Sequence, residues 1–86
     1  MVRNADELLA RYAAGERDFS NIELTRADLS RADLYGINLE KACLRDVNLR
    51  EADLRGANLA GVDFRESRLN GASLIQANLD GANCEA

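Results

Sequence analysis

Eighty-six residues, 47% of them hydrophobic and 30% charged, are enough for one domain with a modest core, because a chain this short buries only about 60% of the surface its unfolded form exposes. A mean hydropathy of -0.33 excludes a membrane span and argues against outright disorder, and a net charge of -4, from 15 acidic against 11 basic residues, argues against a general nucleic-acid binder. Histidine, tryptophan and proline are absent, and the missing proline is unusual for a chain full of turns, which normally recruit it.

The chain opens on a helix signal. Asn4 followed three residues later by Glu7 is a capping-box pattern, and Asp6 and Glu7 suit the positive end of a helix. Leu8, Leu9, Tyr12 and Ala13 fall on one face at helical spacing and Gly15 is a natural stop, so a helix is predicted over about residues 5–14. The first seven residues lack the apolar run of a signal peptide. Two cysteines, Cys43 and Cys84, are too few to staple a small secreted domain, so the cytoplasm is the expected compartment.

From Arg17 to Ala86 the sequence is a run of 14 consecutive pentads without an insertion. Of 13 leucines, 11 share one register of five, from Leu24 to Leu79, and its other slots are Phe19, Phe64 and Cys84. Two positions earlier stands a small or apolar residue, such as Ala32, Ile37, Ala42 or Val47; one position earlier is usually Asp or Asn, such as Asp33, Asn38, Asn48 or Asp53.

A period of five suits neither regular element. On a helix, five residues advance by about 500°, which scatters the leucines around the axis. On a straight strand, an odd spacing sends successive leucines to opposite faces. Each pentad therefore holds a short extended piece and a bend, so that the chain turns a corner every five residues and the leucine always points inward. The alanine two residues earlier shares that side and is small because the corner is crowded. The Asp or Asn between them faces outward, where it can hydrogen-bond nearby backbone. Corners of one hand repeat into a coil, and stacked coils form a parallel β-solenoid. Periodicity leaves open whether three or four pentads close each coil.

The runs Ala27-Asp28-Leu29-Ser30-Arg31 and Ala32-Asp33-Leu34-Tyr35-Gly36, then Ala52-Asp53-Leu54-Arg55-Gly56 and Ala57-Asn58-Leu59-Ala60-Gly61, follow A-(D/N)-L-x-x and resemble the pentapeptide repeat family. The resemblance covers residues 17–86, and 14 tandem copies make it specific. It implies an all-β solenoid, a right-handed four-sided parallel β-helix of about three and a half coils with twenty residues in each, preceded by a capping helix within residues 1–16. Arg17, Cys43, Ser67, Arg68 and Cys84 depart from the pattern, and Ser67 is expected to find a backbone partner. The stretch from Tyr12 to Phe19 resembles the leaders of cyanobacterial-type members. A cap has a physical purpose, since a solenoid's first coil exposes apolar residues and unpaired backbone groups.

With residues twenty apart stacked, the exterior resolves into columns. Tyr35, Arg55 and Ile75 form the column best suited to a protein partner, because an exposed Tyr and Ile bracket an Arg whose guanidinium can lie on the tyrosine ring. The alternative is three unrelated solvent-facing residues. Arg45 stacks on Arg65 with Asp46 and Glu66 beside them, a solvated charge face, and Arg50 and Arg55 fall on different sides. Asp33 over Asp53 is the nearest approach to a cation site, but it lacks further oxygen ligands and corner hydrogen bonds explain the pair better; no metal and no cofactor are expected. Cys43 points outward between Glu23 and Asp63, whose charge blunts its nucleophilicity, while Cys84 points inward as a small core residue. At the C-terminal end Leu69, Leu74, Leu79 and Cys84 lie under an open edge. Either a second chain covers it, giving a homodimer, or the chain is part of a longer protein.

An enzyme is not expected: no histidine serves as general base, no glycine-rich phosphate loop appears, and a filled solenoid offers flat sides. The favoured reading is a non-catalytic protein–protein interaction or scaffold module, whose partner is a protein rather than nucleic acid or membrane. The resemblance adds an alternative, since some longer relatives bind DNA gyrase by imitating duplex DNA. B-DNA carries one charge per roughly 1.7 Å, so a rod about 17 Å long needs about ten net negatives. This chain has -4, with arginines interspersed on its sides.

Overall fold

The computed structural model describes residues 2–85; Met1 and Ala86, the outermost residues of the expected regions 1–16 and 17–86, lie outside the described residues. Helix α1 spans Ala5–Ala13, one residue short of the expected 5–14. Asn4 is extended and its side chain accepts from the Glu7 N–H at 2.8 Å, satisfying a donor that the first turn of a helix leaves orphaned. Glu7 in turn accepts from the Arg3 N–H at 2.8 Å, so the box closes one residue before the N-cap. Leu8 is fully buried and Leu9 and Tyr12 are half-buried, whereas Ala13 is exposed and is not part of the apolar face expected for it. No helix among the described residues is long and apolar enough to cross a membrane.

After the helix the chain pairs through single residues. Ten parallel bridges form among the described residues, and every one joins residues twenty apart, from Asp18 with Asn38 to Asp63 with Asn83. That constant offset decides what periodicity left open: four pentads return the chain to the same lateral position. The bridges fall into four columns, headed by Asp18, Glu23, Asp28 and Asp33. Each register residue from Phe19 to Phe64 is buried in the core between these columns, together with Ile37, Ala42, Val47, Ala52, Ala57 and Val62 two positions ahead of it. Val2 and Leu8 join the same core, which seats α1 over the first coil.

The backbone accounting explains the fixed period. In the pentad Ile37–Lys41 all five amides are engaged. Ile37 N–H closes its corner on the Leu34 carbonyl at 3.0 Å, and Asn38 N–H reaches back to Arg17 at 2.8 Å. Leu39 and Lys41 N–H reach forward to the carbonyls of Asn58 at 2.9 Å and Ala60 at 2.8 Å. Glu40 N–H donates to the Asn38 side chain at 3.1 Å. That last bond recurs at every Asp or Asn in the slot before the register residue, ten in all, at 3.0–3.3 Å. The short polar side chain therefore does what the sequence implied, capping the amide that starts each turn.

The second turn residue of each corner is left-handed. Thirteen consecutive corners have φ between 56° and 74° there, and only five of them carry glycine; the rest carry Asn21, Arg26, Arg31, Lys41, Asp46, Glu51, Glu66 and Gln76. A left-handed residue with a Cβ costs about 1 kcal/mol or more, which the hydrogen bonds on both sides must offset.

Tyr12 fastens the cap. On the regular pattern the Tyr35 carbonyl would accept an amide from a preceding coil; here it accepts the Tyr12 hydroxyl at 2.7 Å. Arg17 holds the ring from the other side, its guanidinium 3.8 Å from the Tyr12 ring centroid and its Nη1 donating to the Tyr12 carbonyl at 2.8 Å. Tyr12→Phe is expected to lower stability by about 1 kcal/mol, since it leaves a carbonyl without its donor. Urea denaturation checks it, and an unchanged midpoint would contradict the role given to the hydroxyl.

Candidate functional site

Tyr35, Arg55 and Ile75 occupy the first turn position of stacked corners in three successive coils, where a side chain leaves the coil outward. Bonds within the turn hold the first two, and bonds between coils set all three in line. Tyr35 N–H and Arg55 N–H are capped by Asp33 at 3.3 Å and Asp53 at 3.1 Å. The amides of Gly36 and Gly56 donate to the carbonyls of Arg55 and Ile75, both at 2.9 Å, so the three residues rise in register. Tyr35 is 55% exposed and Ile75 65%. The Arg55 guanidinium stands 5.5 Å from the Tyr35 ring centroid, within cation–π range.

Arg55 is not a free charge. Its Nε and Nη2 donate to the two oxygens of Asp53, both at 2.8 Å. Those side-chain bonds, ahead of the Arg55 backbone N–H, hold the Asp53 carboxyl below the usual carboxylate range. A Cβ built on Gly36 or Gly56 would meet nothing within 4 Å, so the corner beside the column is bare backbone. A partner can therefore approach Tyr35 and Arg55 closely without displacing a neighbouring side chain, whereas Gln76 stands beside Ile75.

The structure extends this surface toward the helix. Tyr12 reaches it through the Tyr35 carbonyl and carries Arg17 on its ring. Burial raises the Tyr12 hydroxyl above its ordinary value, with Arg17 opposing the shift. Sequence reasoning assigned Tyr12 only to the apolar face of α1. The signal that could have found this contact was the missing coil ahead of Tyr35, whose carbonyl needs a donor.

Asp33 and Asp53 do stack, as bridge partners. Asp33 Oδ1 takes the Tyr35 amide and both Asp53 oxygens are taken by Arg55, and among the described residues no group of three or more His, Cys, Asp or Glu is arranged to hold a metal ion. Cys43 lies in register between Glu23 and Asp63 and is half-buried. Cys84 corrects the expectation of a core residue: it is exposed, because within the described residues nothing stacks beyond the last half-coil. Leu69 and Leu74 are half-buried and Leu79 is 37% exposed, so these leucines face an edge less covered than the core below. The two stacked arginines of the charge face, Arg45 and Arg65, take different partners. Arg65 folds back onto Asp63 at 2.8 Å while Arg45 pairs with Glu66 at 3.8 Å.

The Arg65 side-chain bonds, reinforced by its N–H, lower the Asp63 pKa from 3.8 to about 2. A depressed carboxylate stabilises the fold above its unfolded value and loses that contribution as pH falls through its folded value. The loss therefore lies between pH of about 4 and about 2. Asp63→Asn is expected to flatten the acid limb of the stability curve in that window and leave its shape above about pH 5 unchanged. Denaturation midpoints measured from pH 2 to 7 check this.

A family model described as pentapeptide repeats matches residues 16–46 and 48–83 in eight copies. Among solved structures, the chain is similar to a pentapeptide repeat protein from Nostoc Pcc 7120, 38% identical over 94% of this chain and 75% of that one, with a TM-score of 0.46. HetL, a pentapeptide repeat protein involved in heterocyst differentiation regulation from the cyanobacterium Nostoc sp. strain PCC 7120, is 42% identical over 92% of this chain and 38% of its own, with a TM-score of 0.46. A pentapeptide repeat protein from the Arabidopsis thaliana thylakoid lumen is 37% identical over 77% of this chain and 49% of its own, with a TM-score of 0.44. The chain thus spans less than two thirds of the length of the last two. No curated protein matches.

Proposed function

The chain belongs to the pentapeptide repeat family, and from that premise we propose that it is a non-catalytic interaction or scaffold module which binds a protein through the Tyr35–Arg55–Ile75 column. The observation that carries the reading is this column itself. The largest exposed hydrophobic side chains among the described residues are Tyr35, Ile75 and Leu79, and two of the three stand in one register around an arginine. Aromatic and arginine side chains are the residues that most often dominate binding energy at interfaces. The bidentate pair with Asp53 neutralises Arg55 in place, so the surface fits a neutral, apolar partner patch rather than a carboxylate-rich one.

Membership supports a right-handed, four-sided helix over residues 17–86 with a cap within 1–16; residence in the cytoplasm rests on the two cysteines and the absence of an apolar run in the first seven residues. Recovery of partners from a native lysate, comparing wild type with a Tyr35→Ala, Arg55→Glu, Ile75→Ser variant, tests the column. Loss of a protein that wild type retains supports it; identical recovery removes it.

A second reading, self-association through the C-terminal edge, is favoured by one observation. The amides of Leu69, Gly71, Leu74, Gln76 and Leu79 find no backbone acceptor among the described residues, beside the partly exposed Leu79. Sedimentation at high micromolar concentration is expected to show a dimer, and a monomer there would remove this reading.

A further inference from the structure

Every corner from Leu29 to Ala82 is closed by a hydrogen bond from the amide after the two turn residues to the carbonyl before them, with one exception. Ala42 N–H closes on Leu39 at 2.9 Å, Ala52 on Leu49 at 3.1 Å, and Ser67 on Phe64 at 2.9 Å. At Leu44–Arg45–Asp46–Val47 no such bond forms. Val47 N–H donates instead to Ser67 Oγ at 3.0 Å, and the Ser67 hydroxyl donates to the Leu44 carbonyl.

Ser67 belongs to the next coil and stands directly beyond Val47 in the stack, as the bridge between Asn48 and Arg68 places it. The slot it fills is taken elsewhere by alanine, valine or isoleucine in all but the first pentad. A hydroxyl is the smallest side-chain group that both donates and accepts. Here it satisfies both backbone groups that the remaining corners from Leu29 onward pair directly; the corners Phe19–Ile22 and Leu24–Ala27, at the start of the stack, also lack the closing bond but have no hydroxyl in its place.

We propose that Ser67 is a positioning residue that holds the Leu44–Val47 corner open, its hydroxyl standing where the corner's own hydrogen bond would be. The corner it holds ties three coils together. Asp46 pairs with Arg26 on one side and Arg68 on the other, each at 3.8 Å, and Arg45 pairs with Glu66. With Asp46 left-handed at φ 56°, the lowest of the thirteen, the turn residues are set to reach those partners rather than to close the corner. Removing the hydroxyl leaves a half-buried carbonyl and amide without partners, and the corner does not close unaided.

Amide hydrogen exchange of wild type, Ser67→Ala and Ser67→Cys, followed residue by residue by NMR, tests this. In Ser67→Ala the Val47 amide is expected to exchange about tenfold faster or more, while Ala42 and Ala52, whose corners close internally, keep their wild-type protection. Ser67→Cys, similar in size with a weaker donor and acceptor, is expected to fall between. Should Ser67→Ala fail to fold, the Cys variant decides alone on the same comparison. Unchanged Val47 protection would show that the corner closes on Leu44 by itself and overturn the proposal. Equal acceleration at Ala42, Val47 and Ala52 would overturn it as well, because the hydroxyl would then stabilise the whole stack rather than this corner.

Discussion

Leu54→Ala is expected to cost about 3–5 kcal/mol of stability, near the top of the range for a buried leucine. Leu54 is fully buried in the middle of the stack, in register with Leu34 and Leu74 across the bridges Asp33–Asp53–Ser73. The penalty for such a truncation depends on how far the surroundings can collapse into the space. Here they are pinned. Leu54 N–H donates to the Ser73 carbonyl at 2.9 Å and Asp53 N–H to Ala32 at 2.9 Å, so neither neighbouring coil can move inward without breaking a row of bonds. Small domains have only about 5–15 kcal/mol in total, so much of the folded population would be lost. Leu79→Ala, at the partly exposed edge, is expected to cost less than about 1.5 kcal/mol. Chemical denaturation of the two variants side by side checks the contrast, and equal losses would contradict it.

A single proline is expected to have opposite consequences at adjacent turn positions. Glu51→Pro should cost more than about 3 kcal/mol, because Glu51 sits at φ 60° while proline fixes φ near -65°, and its N–H donates to the Asn70 carbonyl at 2.9 Å. Ala60→Pro should change stability by no more than about 1 kcal/mol. Ala60 precedes a left-handed glycine, the position where a turn of this kind favours proline, and its N–H is used only by the Asn58 side chain at 3.2 Å. Thermal melts of both variants decide the matter. A severe loss at Ala60 would mean that the side-chain cap matters more than its length suggests.

This contrast accounts for the composition. Proline is absent although the chain turns every five residues. In a pentad such as Ile37–Lys41 four of the five amides serve the backbone and the fifth serves the Asp or Asn cap. The leucine register and the cap residues were legible because both repeat, and repetition converts a weak local preference into a decisive pattern. The left-handed corners were not. Arg31, Lys41, Glu51 and Gln76 carry no local mark of positive φ, since that conformation is imposed by the bonds above and below. The offset of twenty likewise belongs to the pairing of whole coils and leaves no trace within a pentad.

The candidate column was readable as an arrangement once twenty residues were assumed to stack. Tyr35 and Arg55 stand where that assumption puts them. What escaped were contacts made by single, unrepeated residues. Tyr12 docks the helix beneath Tyr35, and Cys84 is left uncovered where a core position was expected; Ser67 does find the backbone partners expected of it, but which corner it bridges was not legible. None of these recurs, so no periodicity announces them.

The constant bridge offset limits how such a molecule can change in length. Inserting twenty residues between two coils would let every amide find a carbonyl again and would leave each outward column intact. Inserting five would also preserve the buried file, yet it would turn everything downstream through a quarter revolution. Tyr35 and Arg55 would then look out from different walls. Size in this architecture is free to vary by small steps, whereas the alignment of a binding ridge survives only whole revolutions.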